Sequence, residues 1–253
     1  MSDNAKSLLR VDRDGLCTLT LNRPDQLNAL NLAIFQELDA HITDLAAKTD
    51  SIGCVVIRAN GRSFSAGADL KDISAQSAKG AALSPTYKAK VLERLEALPQ
   101  PVIAAVHGHC FTGGLELAVC CDFIFAAEST KFADTHGKWG LVAGWGLLQR
   151  LPRRIGIAKT KEMGMTARHY TARQAEAMGL ANFVVADDQY DAELDRLVKD
   201  ILANSWHTNR SNKRLLAETD GMSLPVGLAY ESYRHPGRAP DSAQRVANFA
   251  NKK

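Results

Sequence analysis

In "LCTLTL", residues 16–21, apolar and polar positions alternate, and a second short apolar run, "SLLRV" at residues 7–11, lies across Asp12-Arg13-Asp14-Gly15 from it. Alternation is the period of a half-buried strand, and an Asp-Gly pair between two such runs marks a tight turn, so the chain opens on a hairpin. The period then lengthens. Leu32, Phe35, Leu38, Ile42 and Leu45 recur at spacings of three and four, which predicts an amphipathic helix with Asn28 or Asn31 as its cap.

Ile52 to Ile57 form an apolar run that fits a strand covered on both faces, followed by the glycine-bearing loop "NGRSFSAGADLKDI". A helical stretch from Tyr87 to Leu98 leads through Pro99 and Pro101 into the strand "PVIAAVHG", a Gly-Gly helix start and a further strand, "DFIFAAE". The order strand, strand, helix thus recurs without a close sequence repeat. Ser74 to Ser84, rich in Ala, Ser and Gly, reads as a mobile surface loop. From Tyr190 onward, Leu194, Leu197, Val198, Ile201 and Leu202 trace another helical apolar face. The pattern divides the protein into a mixed α/β part, residues 1–189, and a helical part, residues 190–253.

Composition removes several function classes. With 45% hydrophobic and 23% charged residues in 253, the chain is an ordinary globular sequence. Its net charge of +3 is spread rather than gathered into a basic arm, which argues against a nucleic-acid partner. No apolar run approaches the roughly 20 residues that span a bilayer, and "MSDNAKSLLR" has no signal-peptide core, so a cytoplasmic protein with no membrane partner is expected. Cys17, Cys54, Cys110, Cys120 and Cys121 contain no CxxC pair and read as reduced core residues. His107 and His109 with Cys110 could share a strand face, but no second ligand cluster lies nearby, and no metal is expected. Neither a Walker sequence nor GxGxxG follows any strand, which leaves nucleotide-dependent chemistry without support.

Two loops carry chemistry of another kind. Ser65-Ala66-Gly67-Ala68-Asp69 follows a buried strand, and Asp69 can cap a helix starting at Leu70, leaving the Ala68 amide free to donate. "HGHCFTGGLE", residues 107–116, again runs from strand through glycines into a helix, where Gly113 would present a second amide. Singly, each is more often a tight turn with a cap. Two such amides aimed at one point make an oxyanion hole, in which one donor is typically worth about 3 to 4 kcal/mol of transition-state stabilisation.

These loops, with "LNRPDQLNALN", "GRSFSAGADLKDI", "PVIAAVHGHCFTGGLELAVCCDFIFAAE" and "GLLQRLPRRIG" in unbroken order, resemble the signatures of the crotonase, or enoyl-CoA hydratase/isomerase, superfamily. The resemblance implies an α/β fold that is a spiral of strand-strand-helix units, with a helical C-terminal trimerisation region and a homo-oligomer, a trimer or a dimer of trimers. It implies an acyl-CoA thioester as substrate, coenzyme A being part of that substrate, with no separate cofactor. By the family's motif Ala68 and Gly113 hold the thioester oxygen. Ala29 and Leu30 line the CoA path, Ala66 and Leu70 flank the adenine and pantetheine region, and Lys71 meets a phosphate. In the tail, Asp241, Phe249 and Lys252 match the family's terminal spacing, which implies that Phe249 faces a neighbouring subunit's acyl pocket and that Lys252 or Lys253 sits near CoA phosphate. The acidic-glycine pair usual within that pattern is Gln244-Arg245 here.

Family hydratases carry two glutamates that hold and activate one water. Glu116 matches the first, and His136 stands at the position of the second. Ordinary pKa values of roughly 4.3 for glutamate and 6.5 for histidine let such a pair act as base and acid near neutrality. His136 has three readings: catalytic acid/base, orienting partner of Glu116, or plain loop histidine. Gly144 matches the glycine whose amide helps place water, and Trp145 beside it either bulks out the acyl pocket or packs a helix start. Asp122 matches an acid that is usually structural. The implied reaction is hydration of a 2-enoyl-CoA or its reverse. Isomerisation, decarboxylation, thioester hydrolysis and a non-catalytic CoA-ester-binding subunit are the alternatives that His136 leaves open.

Overall fold

Asp14 and Gly15 both take left-handed φ values, 50° and 83°, the backbone of a two-residue hairpin turn. The computed structural model, which describes residues 6–72, 74 and 85–251, thereby pairs β1 (Leu8–Arg13) antiparallel with β2 (Leu16–Leu21), Arg13 opposite Leu16. From β2 onward the large sheet is parallel. It continues through β3 (Cys54–Ala59) and β4 (Val102–Val106), then β6 (Phe123–Ala127) and β9 (Phe183–Val185), in the order β1-β2-β3-β4-β6-β9. A second sheet joins β5 (His109–Phe111), β7 (Lys131–Ala133) and β8 (Tyr170–Thr171), and isolated bridges Ser65–Cys110 and Leu30–Ala68 extend this layer into the earlier loops. A strand of the large sheet, a short strand of the second layer and a helical turn follow one another repeatedly, which is the spiral expected from the sequence.

Helix α1 (Leu32–Ala47) is capped by Asn31, whose Oδ1 accepts from the Ile34 amide at 3.0 Å, and it buries Ile34, Phe35, Leu38, Ile42 and Leu45. Asn28 has a different task. Its buried amide accepts from Arg23 N and donates to the carbonyls of Asn60 and Ser63, stapling three loops together. Helix α2 (Pro85–Glu96) packs on α1; α3 (Gly113–Val119) packs on α4 (Leu147–Thr166); α5 (Ala172–Ala177) follows β8.

The large sheet is covered on both faces, so its strands are near-continuous apolar runs. One face joins the main core; the other, with Cys54, Val56, Ile103, Ala105 and Phe125, is closed by Tyr190, Leu194, Val198 and Ile201 of α6 (Tyr190–Ala203). The five cysteines are buried and unpaired. Helices α7 (Trp206–Thr219), α8 (Leu224–Arg234) and α9 (Ser242–Ala250) contain no buried residue. They are anchored where the Trp206 ring lies against Gly15 and Gly53, and where Lys213 Nζ donates to Asp122 Oδ2 at 2.7 Å and to the Gln100 carbonyl. Among the described residues no helix is long and apolar enough to cross a membrane. Residues 75–84 of the expected surface loop lie outside the described residues.

Candidate active site

At Gly67 the backbone has φ 113°, and a Cβ there would stand 1.9 Å from Thr112 Oγ1, so only glycine allows the two loops to touch. Ser65 Oγ donates to the Asn28 carbonyl and accepts from the Gly67 amide. Asp69 caps the next turn as expected, accepting from the Lys71 and Asp72 amides, and its other oxygen receives Arg23 Nη1 at 2.8 Å. Burial works to raise the Asp69 carboxyl, but Arg23 and these amides outweigh it and hold the group below its ordinary value. Leu30 N donates to Gly67 O and Asp69 N to Leu30 O, which fixes the backbone on both sides of Ala68. The Ala68 amide itself faces the second loop: a Cβ built on Gly113 would lie 3.0 Å from Ala68 N.

Thr112 makes that approach possible. It takes φ 45° and ψ −112°, a conformation that costs a non-glycine residue about 1–3 kcal/mol and persists only when its surroundings enforce it. Here its amide donates to the Ala133 carbonyl at 2.9 Å and its Oγ1 to the Ala66 carbonyl at 3.3 Å. The strained residue turns the chain from β5 into α3, so that Gly113 begins the helix beside Ala68.

One turn further, Glu116 is 1% exposed. Its Oε1 accepts from the amides of Trp145 at 2.8 Å and Leu147 at 3.4 Å, while its Oε2 faces His136 Nε2 at 3.6 Å. His136, 9% exposed, begins the single turn His136–Trp139. Its Nδ1 lies 2.6 Å from Asp134 Oδ1, and the same oxygen accepts the His136 backbone amide at 3.1 Å. Asp134, His136 and Glu116 thus form a buried row of acid, imidazole and acid. Burial alone would keep the imidazole neutral, but the Asp134 hydrogen bond and the two carboxylate charges prevail and raise its pKa. Glu116 is also raised, chiefly by burial, against the pull of the Trp145 amide and of His136. Asp134 is depressed despite burial because His136 donates to it twice.

Trp145 closes this region from the far side. Its ring would sit 2.5 Å from a Cβ at Gly113, and it meets Phe35 edge-on at 4.9 Å. Ala68, Gly113, Glu116, His136 and Trp145 therefore come together, although they span 78 positions of sequence. The amides that reach Glu116 are those of Trp145 and Leu147, and Gly144 is exposed just ahead of them. Ala29, Leu30 and Ala66 lie in the bridged loops that lead to Ala68, with Leu30 buried; Leu70 and Lys71 are exposed at the outer end. Phe249 stands 81% exposed on α9, and Lys252 lies outside the described residues. Thr112, Asp134 and Lys88, a buried lysine of α2 beside Trp145, escape sequence reading. Among the described residues no group of three His, Cys, Asp or Glu side chains is placed to hold a metal.

Comparison with known proteins agrees with this architecture. Residues 12–243 match the family model for enoyl-CoA hydratase/isomerase. The chain is 34% identical over 246 residues to a "probable enoyl-CoA hydratase" of Mycobacterium bovis, covering 96% of this chain and 95% of that one. It is 30% identical to the short-chain-enoyl-CoA hydratase of Clostridium acetobutylicum, covering 88% and 85%. The crystal structure of an enoyl-CoA hydratase from Bacillus anthracis superposes with a TM-score of 0.90 at 30% identity, covering 98% and 97%. The protein belongs to the enoyl-CoA hydratase/isomerase family, an enzyme family that acts on acyl-CoA thioesters.

Proposed function

We propose that the protein hydrates a 2-enoyl-CoA reversibly, with Glu116 and His136 as its base and acid. The observation that carries this reading is the buried contact between Glu116 Oε2 and His136 Nε2, next to the paired loops of Ala68 and Gly113. Both amides donate to the thioester oxygen, whose negative charge grows as an enolate forms. Glu116 keeps Oε1 tied to two amides and uses Oε2 to take a proton from water. The water oxygen bonds to the β carbon, the π electrons move toward the thioester, and the His136 imidazolium delivers a proton to the α carbon. Glu116 then returns its proton to His136, which resets the pair. Asp134 fixes the imidazole orientation and favours its charged form.

Two relatives whose names specify enoyl-CoA hydratase support the choice of reaction. Glu116→Gln tests it. The carboxamide fits the same space but cannot accept the proton, so kcat for crotonyl-CoA hydration falls by about 10²–10⁴, the usual worth of a general base, while CoA-ester binding persists. Unaltered turnover would remove Glu116 from the mechanism. Exchange of the α proton without net hydration in the native protein would redirect the assignment to double-bond isomerisation on the same groups.

A further inference from the structure

Lys88 is 7% exposed, on a helix whose neighbouring positions Thr86 and Lys90 face solvent. Its Nζ lies 5.3 Å from the centre of the Phe35 ring and 5.2 Å from that of Trp145, above the notch where these rings meet edge-on. The Trp145 ring in turn rests on Gly113. A cation has therefore been drawn into the aromatic wall that adjoins the two proposed oxyanion donors. The carboxylate of Asp72 approaches Nζ at 3.6 Å, and one of its oxygens is shared with the Leu32 amide at 3.1 Å. Asp69, the other acid whose charge acts on Lys88, is committed to Arg23. An ammonium has three donors, and two ring faces with one long ion pair compensate its burial poorly. Burial indeed lowers the Lys88 pKa despite the pull of Asp72.

We propose that Lys88 is a specificity residue of the acyl pocket, binding a carboxylate at the far end of the acyl chain, so that the substrates are CoA monothioesters of short dicarboxylic acids. The proposal rests on the acyl-CoA reading above and adds the class of acyl group. A methyl-ended chain would press hydrocarbon against the ammonium and gain nothing from it. A carboxyl-ended chain supplies a second anion, beside the long contact with Asp72, through a charge-assisted hydrogen bond to the buried ammonium. The aromatic wall accommodates the methylenes between the two ends.

Binding to the full-length protein by calorimetry, with saturated esters that cannot be hydrated, separates this proposal from the reaction. Succinyl-CoA, glutaryl-CoA and adipyl-CoA are compared with butyryl-CoA in the native protein, in Lys88→Met and in Lys88→Arg. At least one dicarboxylic ester binds about tenfold or more tightly than butyryl-CoA, the equivalent of one charge-assisted contact. That preference disappears or inverts in Lys88→Met and survives in Lys88→Arg. Equal binding of all four esters by the native protein overturns the subsite while sparing the thioester reading. A parallel loss of every ester in Lys88→Met also overturns it, since Lys88 would then only hold α2 in place. Failure of all four esters to bind the native protein overturns both readings. Should Lys88→Met not fold, the native preference and its retention in Lys88→Arg still decide.

Discussion

Glu116 has one oxygen to spare, and His136 has one nitrogen. The other oxygen is held by the Trp145 and Leu147 amides and the other nitrogen by Asp134, so the two remaining atoms face each other with their orientations set. The proposed chemistry needs Glu116 ionised and His136 protonated. Activity is therefore bell-shaped in pH, falling on the acid side as Glu116 gains a proton and on the alkaline side as His136 loses one. Asp134→Asn removes the strongest support for the imidazolium. Its kcat profile loses the alkaline side at lower pH than the native enzyme, and an unmoved alkaline limb would leave Asp134 without a role in setting His136. The same shifts appear in folding. Because the His136 pKa is raised on folding, its contribution to stability is complete below the ordinary histidine value and is lost as pH rises through the folded value. Asp134 is depressed, so its contribution is present above the ordinary aspartate value and is lost as pH falls through the folded one.

At the scale of elements, a strained threonine and two glycines bring separate turns of the spiral into contact. Gly113→Ala keeps every amide in the chain, yet its Cβ meets the Trp145 ring at 2.5 Å and Ala68 N at 3.0 Å. The loops must then part, and kcat/KM for crotonyl-CoA falls by about 10²-fold or more, the scale of one lost oxyanion donor; full activity would show that this approach is not part of the catalytic geometry. The elements themselves were largely legible. The alternation of residues 16–21 marks β2, the three-four spacing marks α1, and small residues after strands mark both loops. Asn28 and Asn31 show where reading stops: both are plausible caps by type, and only the left-handed turn at Asn28 sends its amide into the core. Asp134 is an acid at a strand end, and nothing in its spacing says that a single helical turn will fold His136 back onto it. Nothing in the spacing singles out Lys88, because its burial depends on α2 crossing α1 and on a tryptophan 57 positions away. Resemblance supplied the pairing of Glu116 with His136, which periodicity alone cannot deliver.

Across the whole molecule, apolar side chains are distributed unevenly. The spiral buries most of its own, leaving Val11, Trp139, Val142, Ile157 and Met165 more than half exposed, whereas α7, α8 and α9 bury none and leave Leu216, Leu224, Val226, Leu228, Tyr233, Val246 and Phe249 more than half exposed. Patches of this kind mark contact surfaces, and the family resemblance points to copies of the same chain. Light scattering of the purified protein is expected to give a trimer or a hexamer at micromolar concentration; a stable monomer would leave Phe249 with no neighbouring pocket to enter. The site within each chain faces a more direct trial. Crotonyl-CoA incubated with the native protein in heavy water and followed by mass should gain one water and carry one deuterium on the α carbon of the 3-hydroxybutyryl product. If crotonyl-CoA binds but shows neither hydration nor α-deuterium, Glu116 and His136 are not the acid and base of an enoyl-CoA hydratase.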